Sequence, residues 1–288
     1  MRLRAGLLAG LAAAGAAHSG AAPAALLQAA PAATAGAPHI VLDGPTVQGG
    51  VVAGKAPAGT TAISLDGKPV RIDRDGRFII GFDRDQAPFA TLVAKLADGR
   101  TVTRPLQVAP RRWPVEHVRV ARRPTASTEE FLRIRARELA RIGAARSRAS
   151  ESSGWRQRFR WPAAGRVSGR FGSQRIYRGE PGAYHSGVDV AAGAGAPVAA
   201  PADGVVVLAG PPTFSLEGNL VIIDHGMGLN SAFLHLATSA VREGQAVRQG
   251  QLIGTVGASG RATGPHLHWS MKWNAARIDP EALAGPMR

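Results

Sequence analysis

The 288-residue sequence contains no cysteine. That excludes disulfides, thiolate-ligated zinc, iron–sulfur centres, a thiol nucleophile and a lipidated N-terminal cysteine. Aromatic residues make up only 5% of the chain while glycines number 36, which favours a turn-rich architecture over a Leu-dense helical bundle. Lysine occurs only at Lys55, Lys68, Lys95 and Lys272, yet Lys+Arg exceeds Asp+Glu by 35 − 20 = 15. The surplus is therefore carried by arginine. A charge of this size predicts attraction to polyanions: nucleic acid, anionic lipid or an acidic wall polymer. No apolar run reaches the ~20 residues of a membrane span. No His-Glu-x-x-His occurs, so the glutamate base of a zinc-binding helix is missing.

The N-terminus narrows the choice of partner. Met1-Arg2-Leu3-Arg4 is basic, Ala5 to Ala17 is a short run of small apolar residues, and small residues continue to Ala22. This is the pattern of a secretory signal peptide over residues 1–22, followed by a low-complexity Ala/Pro/Gly/Thr leader over 23–38. The mature protein is expected in the periplasm or cell envelope, without a transmembrane segment. Export removes nucleic acid as the natural polyanion and leaves anionic envelope polymers as electrostatic contacts.

The remaining chain divides into three. Over 39–108, Asp66-Gly67, Asp75-Gly76 and Asp98-Gly99 punctuate short β-prone runs, which predicts an accessory β-sandwich-like domain. Asp73-Arg74-Asp75-Gly76 has the opening of a calcium loop but lacks its closing glutamate, and reads as a turn. Residues 109–160 form a Pro/Arg-rich linker: Pro110, Pro114 and Pro124 keep it extended. Ser127 with Glu130 makes a capping box that starts a helix running to about Arg148. Phe131, Leu132, Leu139 and Ile142, with Ile134 beside them, are expected to dock it. Arg133, Arg137, Arg141 and Arg146 then lie on other faces, as a solvated surface or as a contact for anionic polymer. Residues 161–288 are Gly/Val/Ala-rich with short β runs and predict one compact antiparallel β-sheet domain. The expected fold class is mainly β.

Five of the eight histidines fall between positions 185 and 268. Histidines clustered in a strand-rich region without cysteine point to a metal site with nitrogen and oxygen ligands. In Gly264-Pro265-His266-Leu267-His268, a strand would put both imidazoles on one face. In His185-Ser186-Gly187-Val188-Asp189, extended backbone gives His185 and Asp189 a common parity opposite Val188. Two histidines and an aspartate would make three ligands and leave a fourth position to water, the mark of a catalytic zinc.

Taken together and in this order, with Phe233-Leu234-His235-Leu236 between them, these elements resemble the M23 (LytM/lysostaphin-type) zinc metallopeptidases, which cut peptide bonds in peptidoglycan. Further matches include Arg170-Phe171-Gly172, Asp224-His225-Gly226 and Gly250-Gln251-Leu252-Ile253-Gly254, so that the resemblance covers about residues 162–284. It implies one Zn2+ per chain on His185, Asp189 and His268, with His235 and His266 as catalytic histidines and His225 structural. It leaves open which histidine is the base. The implied activity is a peptidoglycan endopeptidase; the alternative is a non-catalytic module of the same fold that activates wall amidases. Two departures stand out. Phe233 replaces the usual tyrosine, and Trp269-Ser270 replaces the commoner Phe-Glu, which puts groove detail in question.

Overall fold

The computed structural model describes residues 37–119 and 128–287. The predicted signal peptide, most of the leader, Pro124 and Ser127 lie outside the described residues. Strands dominate as expected, and none of the described helices is long and apolar enough to cross a membrane.

Residues 41–107 form two small antiparallel sheets. One joins Val41–Leu42, Val51–Lys55 and Arg77–Gly81; the other runs Lys68–Val70, Thr60–Leu65, Phe89–Leu96 and Thr101–Gln107 in spatial order. The period-two pattern is clear in Phe89–Leu96, which buries Ala90, Leu92, Ala94 and Leu96. Asp66-Gly67 closes a two-residue hairpin with φ of 49° and 76°, the left-handed pair that a type I′ turn needs. The Asp73 carboxylate accepts the Asp75 and Arg77 backbone N–H groups, each at 2.8 Å. That run is a turn.

The C-terminal half is built on one ten-stranded sheet. Its central strand, Leu229–Ser239, pairs antiparallel with Asn219–Asp224, Leu252–Val256 and Leu267–Trp273. Beyond Leu267–Trp273 lie Val188–Ala191 and then Arg166–Gly169. Phe233, Trp269, Val188 and Val190 point into one apolar core that also takes in Phe78, Ile80 and Phe82 from the first region. The first region is further tied to this half by Arg84, whose Nε donates to the Gly172 carbonyl at 2.9 Å, and by an Arg111–Asp279 ion pair at 2.8 Å.

The linker helix spans Glu129–Ser147. Its cap is Thr128, one residue later than expected; the Thr128 hydroxyl accepts the Phe131 N–H at 3.1 Å. The docking face also differs from expectation. Leu132, Ile134 and Leu139 remain 55%, 43% and 52% exposed. Arg135 instead donates twice to Glu217, both at 2.6 Å, and Glu138 accepts the Ser215 N–H and Oγ–H at 2.5 and 2.6 Å. Arg135, Glu138, Ile142 and Ala145 follow i, i+3, i+7, i+10 spacing and so share one stripe. Hydrophobicity favours the Leu132–Leu139 stripe, but charge pairing with the sheet's loops selects the other. Arg141 belongs to the docked set as well, lying over the Phe214 ring and beside Glu243.

His225 sits fully buried at the end of Asn219–Asp224. Its Nδ1–H donates to the Asp203 carbonyl at 2.8 Å, its Nε2 accepts from the Ser231 hydroxyl at 2.9 Å, and Phe159 packs edge-on at 4.9 Å. Burial pushes its pKa down from 6.5 to about 4, against the opposing Asp203 bond. Between these values the unfolded chain binds more protons than the folded one, so stability is lost as pH falls from 6.5 towards 4. At 1.36 kcal/mol per pKa unit the contribution is ~3 kcal/mol. Urea unfolding at pH 7 and pH 4.5 should show this loss, and His225→Gln should flatten the slope. An unchanged slope in the variant would assign the effect to other groups.

Candidate metal centre

Strand register brings the donors together. Asp189 on Val188–Ala191 is the cross-strand neighbour of His268, and His268 in turn faces Leu234 on the central strand. His185 lies just before its strand, held by backbone bonds to Gly172 and Ser173. His268 Nδ1 is 2.8 Å from Asp189 Oδ1, and His185 Nε2 is 3.2 Å from that oxygen and 3.1 Å from His268 Nδ1. One atom from each residue therefore meets at a single point, as a metal-binding trio requires.

The chemistry of this trio fits a cation. The Arg170 carbonyl lies 3.2 Å from His185 Nδ1 and cannot donate, so Nδ1 carries the proton. In the neutral ring Nε2 then presents a lone pair to a carboxylate, a contact that either a cation between them or a second proton on the ring resolves. A tetrahedral ion with bonds of ~2.0 Å has ligand–ligand edges of about 3.3 Å, close to the observed separations. The backbone bond on Nδ1 fixes tautomer and ring orientation, a second-sphere device usual around metals. Two glycines make the convergence possible. A Cβ at Gly169 would stand 2.6 Å from Asp189 Oδ2, and one at Gly187 would stand 2.8 Å from His268 Nε2 and closer still to the Trp269 carbonyl.

Electrostatics agree with the geometry. Burial would raise the Asp189 carboxyl, but hydrogen bonds from His185 and His268 outweigh it and hold the group below the usual carboxylate range. Burial likewise pushes His185 down, and here the bond and charge of Asp189 overcome it, so the ring is held above its ordinary value. His268 and His235 are both lowered, chiefly by burial.

The other two predicted site histidines flank the trio. His266 precedes its strand instead of lying on it, yet its Nε2 reaches within 3.8 Å of Asp189 Oδ1. His235 and His266 have ring centroids 4.9 Å apart. Each has a backbone carbonyl at Nδ1, Ser259 at 2.9 Å and Gly264 at 2.8 Å, so each leaves Nε2 free. Strict alternation would turn His235 towards the core with Phe233. A bulge prevents this: Phe233 pairs with Val221 and Leu236 with Asn219, three residues against two. His235 itself takes φ 64°, a left-handed conformation that costs a non-glycine residue roughly 1–2 kcal/mol.

A groove of ≈ 1280 Å³ passes over these residues. Its far wall is partly the linker: Val115–Val118 lies parallel to Gln174–Tyr177, an added strand that the prolines did not foretell. Tyr184, next to His185, donates its hydroxyl proton to Asp83 at 2.9 Å. Phe233 and Trp269 face the core as a cross-strand pair, with Trp161 edge-on to Trp269 at 5.7 Å. Of the three residues in the two departures from the usual pattern, Phe233 and Trp269 are thus packing changes, and only Ser270 reaches a cavity.

Comparison with known proteins agrees with this geometry. Residues 183–280 match the sequence family described as Peptidase family M23. A crystal structure described as peptidase M23 from Pseudomonas aeruginosa superposes with a TM-score of 0.65 at 32% identity, covering 85% of this chain and 96% of that one. The DD-carboxypeptidase/endopeptidase Mpg of Neisseria meningitidis is 40% identical over 42% of this chain and 27% of its own. The peptidoglycan DD-endopeptidase ShyC of Vibrio cholerae is 39% identical over 42% of this chain and 28% of its own. This chain spans about a quarter of the length of the curated relatives it matches.

The close approach at Gly187 yields a test of the centre. Gly187→Ala should displace the His268 ring or the Trp269 backbone, lowering stability by ~1–3 kcal/mol and weakening divalent-metal binding in calorimetry. An alanine variant with unaltered melting temperature and metal affinity would show that the strands tolerate the extra methyl.

Proposed function

This chain belongs to peptidase family M23, and on that premise we propose that it is an exported, zinc-dependent endopeptidase hydrolysing peptide bonds of peptidoglycan, in the cross-link or the stem peptide. The observation that carries the reading is the convergence of His185 Nε2, Asp189 Oδ1 and His268 Nδ1, with His235 and His266 beside them in one groove. A complete donor set with both flanking imidazoles supports an enzyme over a non-catalytic module that activates amidases. Relatives named as peptidoglycan DD-endopeptidases support the substrate class and a cell-envelope location.

His185, Asp189 and His268 would hold the Zn2+. When bound, such an ion lowers the pKa of water towards ~7 and polarises a carbonyl. The chain's own part is proton handling and orientation. His235 and His266 carry their protons on Nδ1, tied to the Ser259 and Gly264 carbonyls, so each Nε2 can accept a proton. One Nε2 takes the proton of the attacking water as its oxygen bonds to the scissile carbon; an imidazolium N–H returns a proton to the amine when the C–N bond breaks. Burial keeps the His235 ring from charging prematurely. The bulge and its left-handed residue fix that ring against His266, so the groove holds the pair pre-oriented.

The linker helix gives a second, electrostatic element. Arg135 and Arg141 are engaged with the sheet's loops, and Arg133 remains on the outer face with only a long Glu129 contact at 3.7 Å. We assign contact with anionic wall polymer to Arg133 and Arg137. Sacculus binding should weaken by ~0.3 M salt, where the screening length has fallen below roughly 10 Å, and charge reversal at Arg133 and Arg137 should reduce it. Binding indifferent to both would remove the linker from this role.

Mutation of the histidines tests the division of labour. His268→Ala should lose both zinc and hydrolysis of defined muropeptides. His266→Ala and His235→Ala should stay folded and zinc-loaded with rates down ~10²–10⁴-fold. Equal zinc loss in all three would erase the distinction between ligand and proton carrier, and full activity in His266→Ala would overturn the mechanism.

A further inference from the structure

A second cavity, of ≈ 340 Å³, adjoins the groove and is closed on one side by the linker helix. Ser186, Glu217, Leu234, His268 and Arg277 line both spaces, so the second opens beside the metal-binding trio. Its lining is strongly cationic: Arg135, Arg146, Lys272 and Arg277 face a single carboxylate, Glu217. Arg135 occupies that carboxylate with two bonds of 2.6 Å.

Among the described residues no carboxylate forms an ion pair with the other three cations, and Glu217 and Asp83 act on them only at longer range. Arg146 Nε and Nη1 are enclosed and meet no acceptor. Lys272 stands directly opposite Arg277 across the strand pair Leu267–Trp273 and Ala276–Ile278, a like-charge arrangement that is unfavourable by itself. The Arg277 guanidinium reaches only the Tyr184 hydroxyl, at 3.3 Å. The Asp83 carboxylate accepts the Arg277 backbone N–H at 2.8 Å and the Tyr184 hydroxyl proton at 2.9 Å, and its charge reaches Lys272 and Arg277 only through space. Burial, and then Arg277, push the Arg146 pKa down to about 10. Lys272 is lowered by burial and then by the charges of Arg146 and Arg277. Ser270 on the floor supplies a hydroxyl where the usual family residue would supply a carboxylate.

Such a constellation is costly without an anion and pre-organised with one. The enclosed guanidinium N–H groups of Arg146 leave their hydrogen-bonding capacity unmet, and the half-buried Lys272 and the exposed Arg277 add positive charges that repel it. We propose that this cavity is an anionic subsite of the groove, in which Arg146, Lys272 and Arg277 hold a free carboxylate borne by the residue flanking the scissile bond. The proposal rests on reading the groove as a peptidase site. Its ligand is a carboxylate on a peptide because the cavity communicates with the groove beside His268. It also gives the linker helix a part in substrate choice, since Arg146 comes from outside the sheet.

Two cross-linked muropeptides test it, one with that carboxyl free and one with it amidated, together with a third amidated only at its C-terminus. Affinity is measured calorimetrically on zinc-loaded His266→Ala protein, so that no turnover intervenes. The free carboxylate should bind at least ~10-fold more tightly than its flanking amide, as charge-assisted bonds imply. Arg146→Gln and Lys272→Gln should each reduce that ratio towards one, leaving the amide's affinity unchanged. In otherwise wild-type protein the preference should appear in KM more than in kcat. A ratio near one in the parent, a ratio unmoved in both variants, or sensitivity to the C-terminal amide alone would overturn the assignment. Should Arg146→Gln fail to fold, Lys272→Gln decides. Absence of hydrolysis with the affinity difference intact would refute the peptidase reading and leave the subsite standing.

Discussion

A single carboxylate governs this architecture. Asp189 has ring nitrogens of His185 and His268 at 3.2 and 2.8 Å and of His266 at 3.8 Å. A charge withdrawn from water at that depth persists only when its partners are held in place. The register that sets Asp189 against His268 and Gly169, the missing side chains at Gly169 and Gly187, and the carbonyl that orients His185 all serve this requirement. The bulge at His235 extends the same arrangement sideways, turning a side chain from the core to the groove. An open strand end would deliver the histidines to the same region without fixing which nitrogen faces which.

Arginine does much of the tethering around that centre. Arg84 reaches across from the first region to Gly172 and Gln174 and lies over the Tyr184 ring at 4.8 Å. Arg111 pairs with Asp279, Arg135 with Glu217, and Arg156 with Asp73. The planar guanidinium suits such bridging because it donates in several directions at once. Fewer arginines are therefore available to contact a polymer than their number suggests, although the net surplus of 15 is unchanged by such pairing.

The β content, the Asp-Gly turns and the two separate histidine motifs, His185 with Asp189 and His266 with His268, were legible in the sequence because each is a local pattern: period two, left-handed turn residues, and short spacings. His185 and His268 lie 83 positions apart, and only the resemblance to a known family joined them in advance. The helix face was misread because two stripes share helical spacing and the deciding partners, Ser215 and Glu217, are remote in sequence. Arg146 resembled its exposed neighbours for the same reason. The bulge at His235 had no signal at all, since Phe-Leu-His-Leu reads as ordinary alternation, and neither did the linker strand that joins the groove wall.

That linker strand bears on how the molecule comes to be assembled. Glu116 and Arg175, paired across it, are separated by 59 residues, and parallel strands cannot close through a tight turn. Hairpins such as Asn219–Asp224 with Leu229–Ser239 involve short loops and form early, whereas contacts of long sequence separation form late. The groove wall and the pairing of His185 with His268 both belong to the late class. No single hairpin therefore contains the assembled centre, and each of its strands depends on closures that cost more chain entropy than the turns around it.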